Sequence, residues 1–347
     1  MTLLPTTVFA AASTSGTCGN SAMWSFDSAI GTLTISGSGR MDDYDHEYFP
    51  DAYDKAAPWA SIADQITKVS IGNKITYIGK EAFSGGPYSN IPQYPNLETI
   101  TFESKSKVTE IGNYAFWEAN AVKSMVLPAS LERIGDESFP VEALKAIYVE
   151  NGNRTFYTDD GVLYQGKTLR AYPTRRENSK YAVRAGTKEI SPSAVANSFL
   201  TSVSIPGSVE KIPYDAFFMG DRLSQITFEE GIKEIDNSNF WYCPALTRID
   251  IPASVTAFTT ELGCPDALLG VVDTPLAVYF LGSAAPAFDA GLCQSRSTAG
   301  KVTVYYPNGA TGWGAVQAQE DVKAAVAEGT LEFRTWEPTQ TEPDDTL

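Results

Sequence analysis

The sequence predicts an α/β repeat solenoid with parallel strands on one face and β-rich caps at both ends. Three observations carry this expectation. First, a unit of the form Leu-x-x-Ile-x-Ile returns in strict step: Leu200, Leu223 and Leu246 follow one another every 23 residues, and Ile212, Ile235 and Phe258 keep the same interval. Second, the last two apolar residues of each unit sit two apart, which is the side-chain period of a strand. A Pro or Gly then stops the strand. Third, one such unit cannot bury its apolar residues alone, whereas stacked copies bury them continuously.

The elements follow in chain order. Residues 1–14 form a short apolar stretch closing on Ala10, Ala11 and Ala12. It reads as a signal-peptide remnant lacking its basic start, or as a disordered N-terminus. Residues 15–65 read as an N-terminal β cap. Met23-Trp24-Ser25-Phe26-Asp27 and Gly31-Thr32-Leu33-Thr34-Ile35-Ser36-Gly37 alternate as a hairpin, with Pro58-Trp59 beside it. Residues 66–268 hold the repeats, from Ile66, Val69 and Ile71 onward, with extra chain around 85–90. An insertion at about 150–180 reads as a hairpin jutting from the array. It carries a basic cluster of Arg170, Arg175, Arg176 and Lys180. Residues 269–336 read as a C-terminal β-rich cap with one helix from Trp313 to Ala327, and 337–347 as a polar linker or tail.

Composition removes several kinds of chemistry. The 347 residues hold 26 Lys plus Arg against 42 Asp plus Glu, a net charge of −16. Such a surface repels phosphate backbones and anionic membranes, so no nucleic-acid partner is expected. No apolar run approaches 18 residues, so no transmembrane segment is expected. There is a single histidine, His46, which removes multi-histidine metal sites and leaves one candidate base with no indicated partner. The acidic run Asp42-Asp43-Tyr44-Asp45-His46-Glu47, with Asp51 and Asp54, lacks calcium-loop spacing and reads as a hydrated loop. No nucleophile elbow, P-loop or dinucleotide fingerprint appears. No catalytic residue, metal or cofactor is therefore expected. Cys18, Cys243, Cys264 and Cys293 form no C-x-x-C pair. They read as buried apolar thiols, with a Cys264–Cys293 disulfide as the alternative that export would permit.

The candidate binding residues come from strand geometry. In Leu-x-x-Ile-x-Ile, the residues flanking the first Ile point away from the core. That column comprises Lys68, Ser70, Thr99, Thr101, Ser124, Tyr148, Ser202, Ser204, Gln225, Thr227, Arg248 and Asp250. It offers a shallow polar face to a protein or a glycan. The competing reading is a solvated sheet face, filled with Ser and Thr for their strand preference. Tyr148 is the lone aromatic anchor in this column, and binding hot spots favour Trp, Tyr and Arg.

The units running from Leu200 to Phe217, through Phe240 with Cys243, and from Leu246 to Phe258 resemble the BspA-type leucine-rich repeats of bacterial surface proteins. The opening Ser15-Gly16-Thr17-Cys18-Gly19 and Ala57-Pro58-Trp59 are similar to segments that precede such arrays. The runs from Phe280 to Pro286 and from Val304 to Pro307 are similar to segments that close them. The resemblance spans about residues 15–336. It implies an extracellular or cell-surface module that binds a protein or glycan, of the kind associated with adhesion to host matrix proteins and cells. A monomeric state is expected. The alternative is a rigid structural spacer presenting another domain beyond Leu347. Two copies depart from the pattern: Ser191-Pro192 replaces an Ile-Gly-like step, and Asp236-Asn237-Ser238-Asn239 replaces Gly-x-x-Ala.

Overall fold

The computed structural model describes residues 14–44, 56–84, 94–117, 119–140, 143–261, 272–294 and 296–337. The reading of residues 1–13, and those of His46, Cys264 and the tail beyond residue 337, lie outside them. The chain forms two compact units, Met1–Tyr157 and Thr158–Leu347.

In the first unit the expected hairpin forms from Ala22–Asp27 and Thr32–Gly37, antiparallel, with Ser15–Thr17 on its outer side. Ala22, Trp24 and Phe26 point inward because they alternate with polar residues. Thr32–Gly37 then accepts Lys68–Ile71 in parallel, which accepts Thr99–Phe102. The register Leu33↔Val69↔Ile100 places like residues side by side. Ser124–Leu127 pairs in parallel with Ala146–Val149. A second parallel ladder runs through Gly39–Arg40, Ile75–Ile78, Glu110–Ile111 and Arg133–Ile134. Stacked Trp59, Phe83 and Phe116 belong to the core, with centroids 5.4 and 5.5 Å apart.

The Ala-Phe turns have a backbone signature. Glu81, Tyr114 and Glu137, each two residues ahead of the Phe, take φ of 55°, 56° and 48°. A non-glycine residue there costs about 1–2 kcal/mol. The geometry sends the Glu81 N–H to the Asn113 carbonyl (3.0 Å) and the Tyr114 N–H to the Asp136 carbonyl (2.9 Å). Glu81 and Tyr114 thus donate to the following coil.

In the second unit Val162–Gln165 and Thr168–Ala171 form the expected hairpin, antiparallel. It does not jut from the array. Thr168–Ala171 pairs in parallel with Glu189–Ile190, and Val162, Leu163 and Leu169 are fully buried. Val162, Leu163 and Tyr164 are consecutive and all buried, so both faces of this strand are covered. The basic cluster is tied into this unit. Arg175 and Arg222 both stack on Phe199, at 3.3 and 4.0 Å. Arg176 pairs with Asp160, and Arg170 Nη1 donates to Ser191 Oγ at 3.0 Å.

The outward ladder of the second unit begins with Lys180–Ala182, Ser202–Ile205 and Gln225–Phe228, all parallel. Arg248–Ile251, Leu276–Phe280, Val302–Pro307 and Leu331–Trp336 form a four-stranded sheet, again all parallel. The strand Leu331–Trp336 was not expected, and the expected single helix is two, Trp313–Gln317 and Glu320–Glu328. Gln319 is extended (φ −66°, ψ 147°), which separates them. Phe240, Phe258 and Phe288 stack in the core at 6.0 Å spacings.

The departure at Asp236–Asn239 is absorbed by side-chain hydrogen bonds. Asn237–Phe240 is a 3₁₀ turn capped by Asp236, which accepts from Ser238 N. Buried Asn239 accepts from Phe217 N (3.1 Å) and donates to Pro213 O (2.6 Å). Cys18, Cys243 and Cys293 are buried free thiols, and the Cys264 side of the disulfide alternative lies outside the described residues.

Candidate binding faces

Each unit carries its own outward strand face. In the first, Lys68 lies beside Thr99, and Ser70 beside Thr101. Lys68, Thr99 and Ser124 are exposed, while Ser70 and Thr101 are half-buried. Tyr148 stands opposite Val126. The two are about half exposed (50% and 49%) and make an apolar pair on an otherwise polar face.

In the second unit, Ser202 lies beside Gln225 and Ser204 beside Thr227. The Ser202 hydroxyl donates weakly to Gln225 Oε1 at 3.4 Å. Arg248 makes a two-pronged pair with Asp250, Nε to Oδ1 at 2.9 Å and Nη2 to Oδ2 at 3.3 Å.

Beyond Asp250 the same slot turns aromatic, which the sequence reading missed. The register Asp250↔Tyr279↔Tyr305↔Arg334 continues the column. Tyr279 and Tyr305 stack with centroids 4.4 Å apart and planes 6° from parallel. The Arg248 guanidinium lies 4.2 Å from the Tyr279 ring centre, and Trp336 meets Tyr279 edge-to-face at 5.6 Å. Rings stacked across neighbouring strands stand on edge, so the face presents ring edges and hydroxyls rather than open ring faces. Burial, with the neighbouring Tyr305, raises the pKa of the Tyr279 hydroxyl. Glu332 takes hydrogen bonds from Lys301 and Arg334, which hold its carboxyl below the usual range. The signal was present in Ala277-Val278-Tyr279-Phe280 and Thr303-Val304-Tyr305, which alternate as Arg248-Ile249-Asp250-Ile251 does.

Two other polar clusters are occupied by the fold. Asp43 Oδ1 accepts from the Tyr77 hydroxyl (2.6 Å) and Lys80 N (2.8 Å). A cleft of about 440 Å³ in the second unit holds Asp289, Asp321 and Glu328. There Asp289 accepts from Asn237, Thr260 and Gly291, and Asp321 from Ala290 N. Among the described residues no group of three or more His, Cys, Asp or Glu side chains could hold a metal ion. No helix among them is long and apolar enough to cross a membrane.

The model of the BspA type leucine rich repeat region matches residues 61–160 and 183–262, in six copies, over more than half of the chain. The chain belongs to the BspA-type leucine-rich repeat family. No curated protein matches it. The crystal structure of the pneumococcal vaccine antigen PcpA aligns with a TM-score of 0.52 at 18% identity, covering 79% of this chain and 68% of that one. A leucine-rich repeat protein from Eubacterium ventriosum aligns with a TM-score of 0.46 at 21% identity, covering 85% and 78%. A leucine rich cell surface protein from Faecalibacterium prausnitzii aligns at 0.39 and 19% identity, covering 91% and 93%. The PcpA likeness is one of fold. For this leucine-rich repeat protein, it agrees with the parallel ladders described above.

Proposed function

We propose that this leucine-rich repeat protein is a non-enzymatic binding module, secreted or held at the cell surface, whose outward strand faces hold another protein or a glycan. The observation that carries the reading is the second unit's face. Its backbone is fixed by parallel ladders, and its outward column passes from Ser and Thr to Arg248, Tyr279, Tyr305, Arg334 and Trp336. Arg, Tyr and Trp are the residues that dominate binding energy, and a pre-formed surface orders little on association. The spacer reading predicts an inert face and lacks a reason for such residues to line it.

The test is capture of purified host matrix proteins and bacterial wall glycans by the full chain, compared with Gln225→Trp and Arg248→Glu. Loss of capture in these face variants supports the reading. Capture unchanged by both favours the spacer or another surface.

A further inference from the structure

Among the described residues no strand covers the outer edge of Leu331–Trp336. The carbonyl of Thr330, just ahead of Leu331–Trp336, accepts from Val302 N (2.8 Å), and the Trp336 carbonyl accepts from Asn308 N (2.9 Å). Even-numbered residues therefore turn their backbone groups toward Val302–Pro307. The N–H and C=O of Leu331, Phe333 and Thr335 point the other way, and no described strand pairs with them. Folded proteins usually blunt such an edge with a short strand, a proline, a bulge or charged side chains; here the charges are Glu332 and Arg334, which bond to each other. This one is six residues long, pairs without a bulge over its whole length and contains no proline. By contrast, the edge strand Ser15–Thr17 of the first unit has three residues.

The side chains beside that edge have a defined chemistry. Glu332, Arg334 and Trp336 share the outward face. The Glu332 carboxylate is taken by Lys301 and by Arg334 Nε, leaving two cations around one anion on a chain of net charge −16. The Arg334 side chain remains 55% exposed. The Trp336 ring leans inward over Val302–Pro307 and meets Tyr279 edge-to-face at 5.6 Å, with its Nε1 buried. The exposed Arg334 guanidinium is the group left to meet an incoming chain, and it suits a carboxylate. A sugar ring lying flat is disfavoured, because Arg248 and Tyr305 stack against the Tyr279 ring.

We propose that the second unit captures an extended, acidic polypeptide segment by strand addition along Leu331–Trp336, with Arg334 pairing its carboxylate. The added strand would take up the three open backbone sites. Its outward side chains would lie about 5 Å from those of Glu332, Arg334 and Trp336, the cross-strand spacing. The inference rests on the binding-module reading and gives it a site and a partner class.

The test uses the full chain and a labelled synthetic peptide, Thr-Glu-Val-Glu-Val-Glu-Thr, with a Lys-for-Glu peptide as control, read by fluorescence anisotropy. Arg334→Glu reverses the cation on an exposed side chain. Thr335→Pro removes an outward N–H at an edge position, where proline is tolerated, and leaves the aromatic column intact. The expected result is binding of the acidic peptide, at least about tenfold weaker binding of the Lys peptide, and a loss of about tenfold or more in each variant at unchanged melting temperature. Three results overturn the proposal: no acidic-peptide binding, equal binding of the Lys peptide, or binding indifferent to Thr335→Pro. A dimer of the chain that Thr335→Pro dissolves also overturns it, in favour of a second copy as occupant. If matrix or glycan capture survives Thr335→Pro but falls in Gln225→Trp, the binding-module reading stands while strand addition fails.

Discussion

Truncating Phe258 to alanine tests whether neighbouring coils of the second unit share one interior. Phe258 is fully buried. Its ring stacks on Phe240 and Phe288 at 6.0 Å and meets Phe280 edge-on at 5.4 Å. Buried Phe→Ala changes cost about 3–5 kcal/mol through lost transfer energy and a residual cavity. Ring pairs add about 0.5–1.5 kcal/mol each beyond area. With ring contacts on three sides, Phe258→Ala belongs in the upper half of that range, about 4–5 kcal/mol. For a unit of this size, that corresponds to a fall of roughly 10–15 °C in melting temperature. Trp313, 5.0 Å from Phe280 and 6.2 Å from Phe288, supplies a fluorescence reporter inside the same core. Urea unfolding of wild type, Phe258→Ala and the outward-facing Thr227→Ala measures the effect, with Thr227→Ala expected within about 0.5 kcal/mol of wild type. A Phe258→Ala loss below about 1 kcal/mol, with the denaturant slope unchanged, would refute a shared interior.

Three further outcomes are expected. Burial, together with the charge of Asp236, raises the Asp215 carboxyl from its ordinary 3.8 to about 6. The folded chain therefore binds more protons than the unfolded chain between those values, and stability falls as pH rises through that window. Asp215→Asn should melt higher than wild type at pH 7, with the gap closing below about pH 4; a gap constant with pH would contradict this. Burial pushes the Cys243 thiol up to about 11 and the Cys18 thiol, aided by Asp42, up to about 12. Both should resist iodoacetamide at pH 8 in the native protein and react in urea, as read by peptide mass spectrometry. Lys105 is exposed and sits at φ 59°. Lys105→Gly should stabilise by about 0.5–1 kcal/mol in the same urea assay, because glycine escapes the left-handed penalty.

The repeat was legible wherever spacing is rigid. Leu200 and Leu223 keep step because the strands that follow them pair in one register, so the interval is a packing constraint. The outward set was legible for the same reason: period two assigns Ser204, Thr227 and Asp250 to one side whatever they bind. The step changes after Asp250, so Tyr279 and Tyr305 escaped the column although their local alternation was present. The hairpin at 162–171 was visible as two strands. Its docking was not, because its partner Glu189–Ile190 is only two residues long and nothing in its spacing marks it as paired to a hairpin. Left-handed Glu81 and Tyr114 were equally hidden: their conformation is held by a hydrogen bond to the following coil, which no local residue preference reports.

The register Ser202↔Gln225, Val203↔Ile226 has an evolutionary consequence. Any junction between coils in this stretch resembles the next, so a recombination event that adds or removes one whole turn rejoins two surfaces already suited to each other. An insertion of a single residue within a strand has no such escape, because it exchanges the inward and outward sets for everything that follows in that strand. Length in such a gene is free to drift in whole turns, while the order of residues within a turn is held.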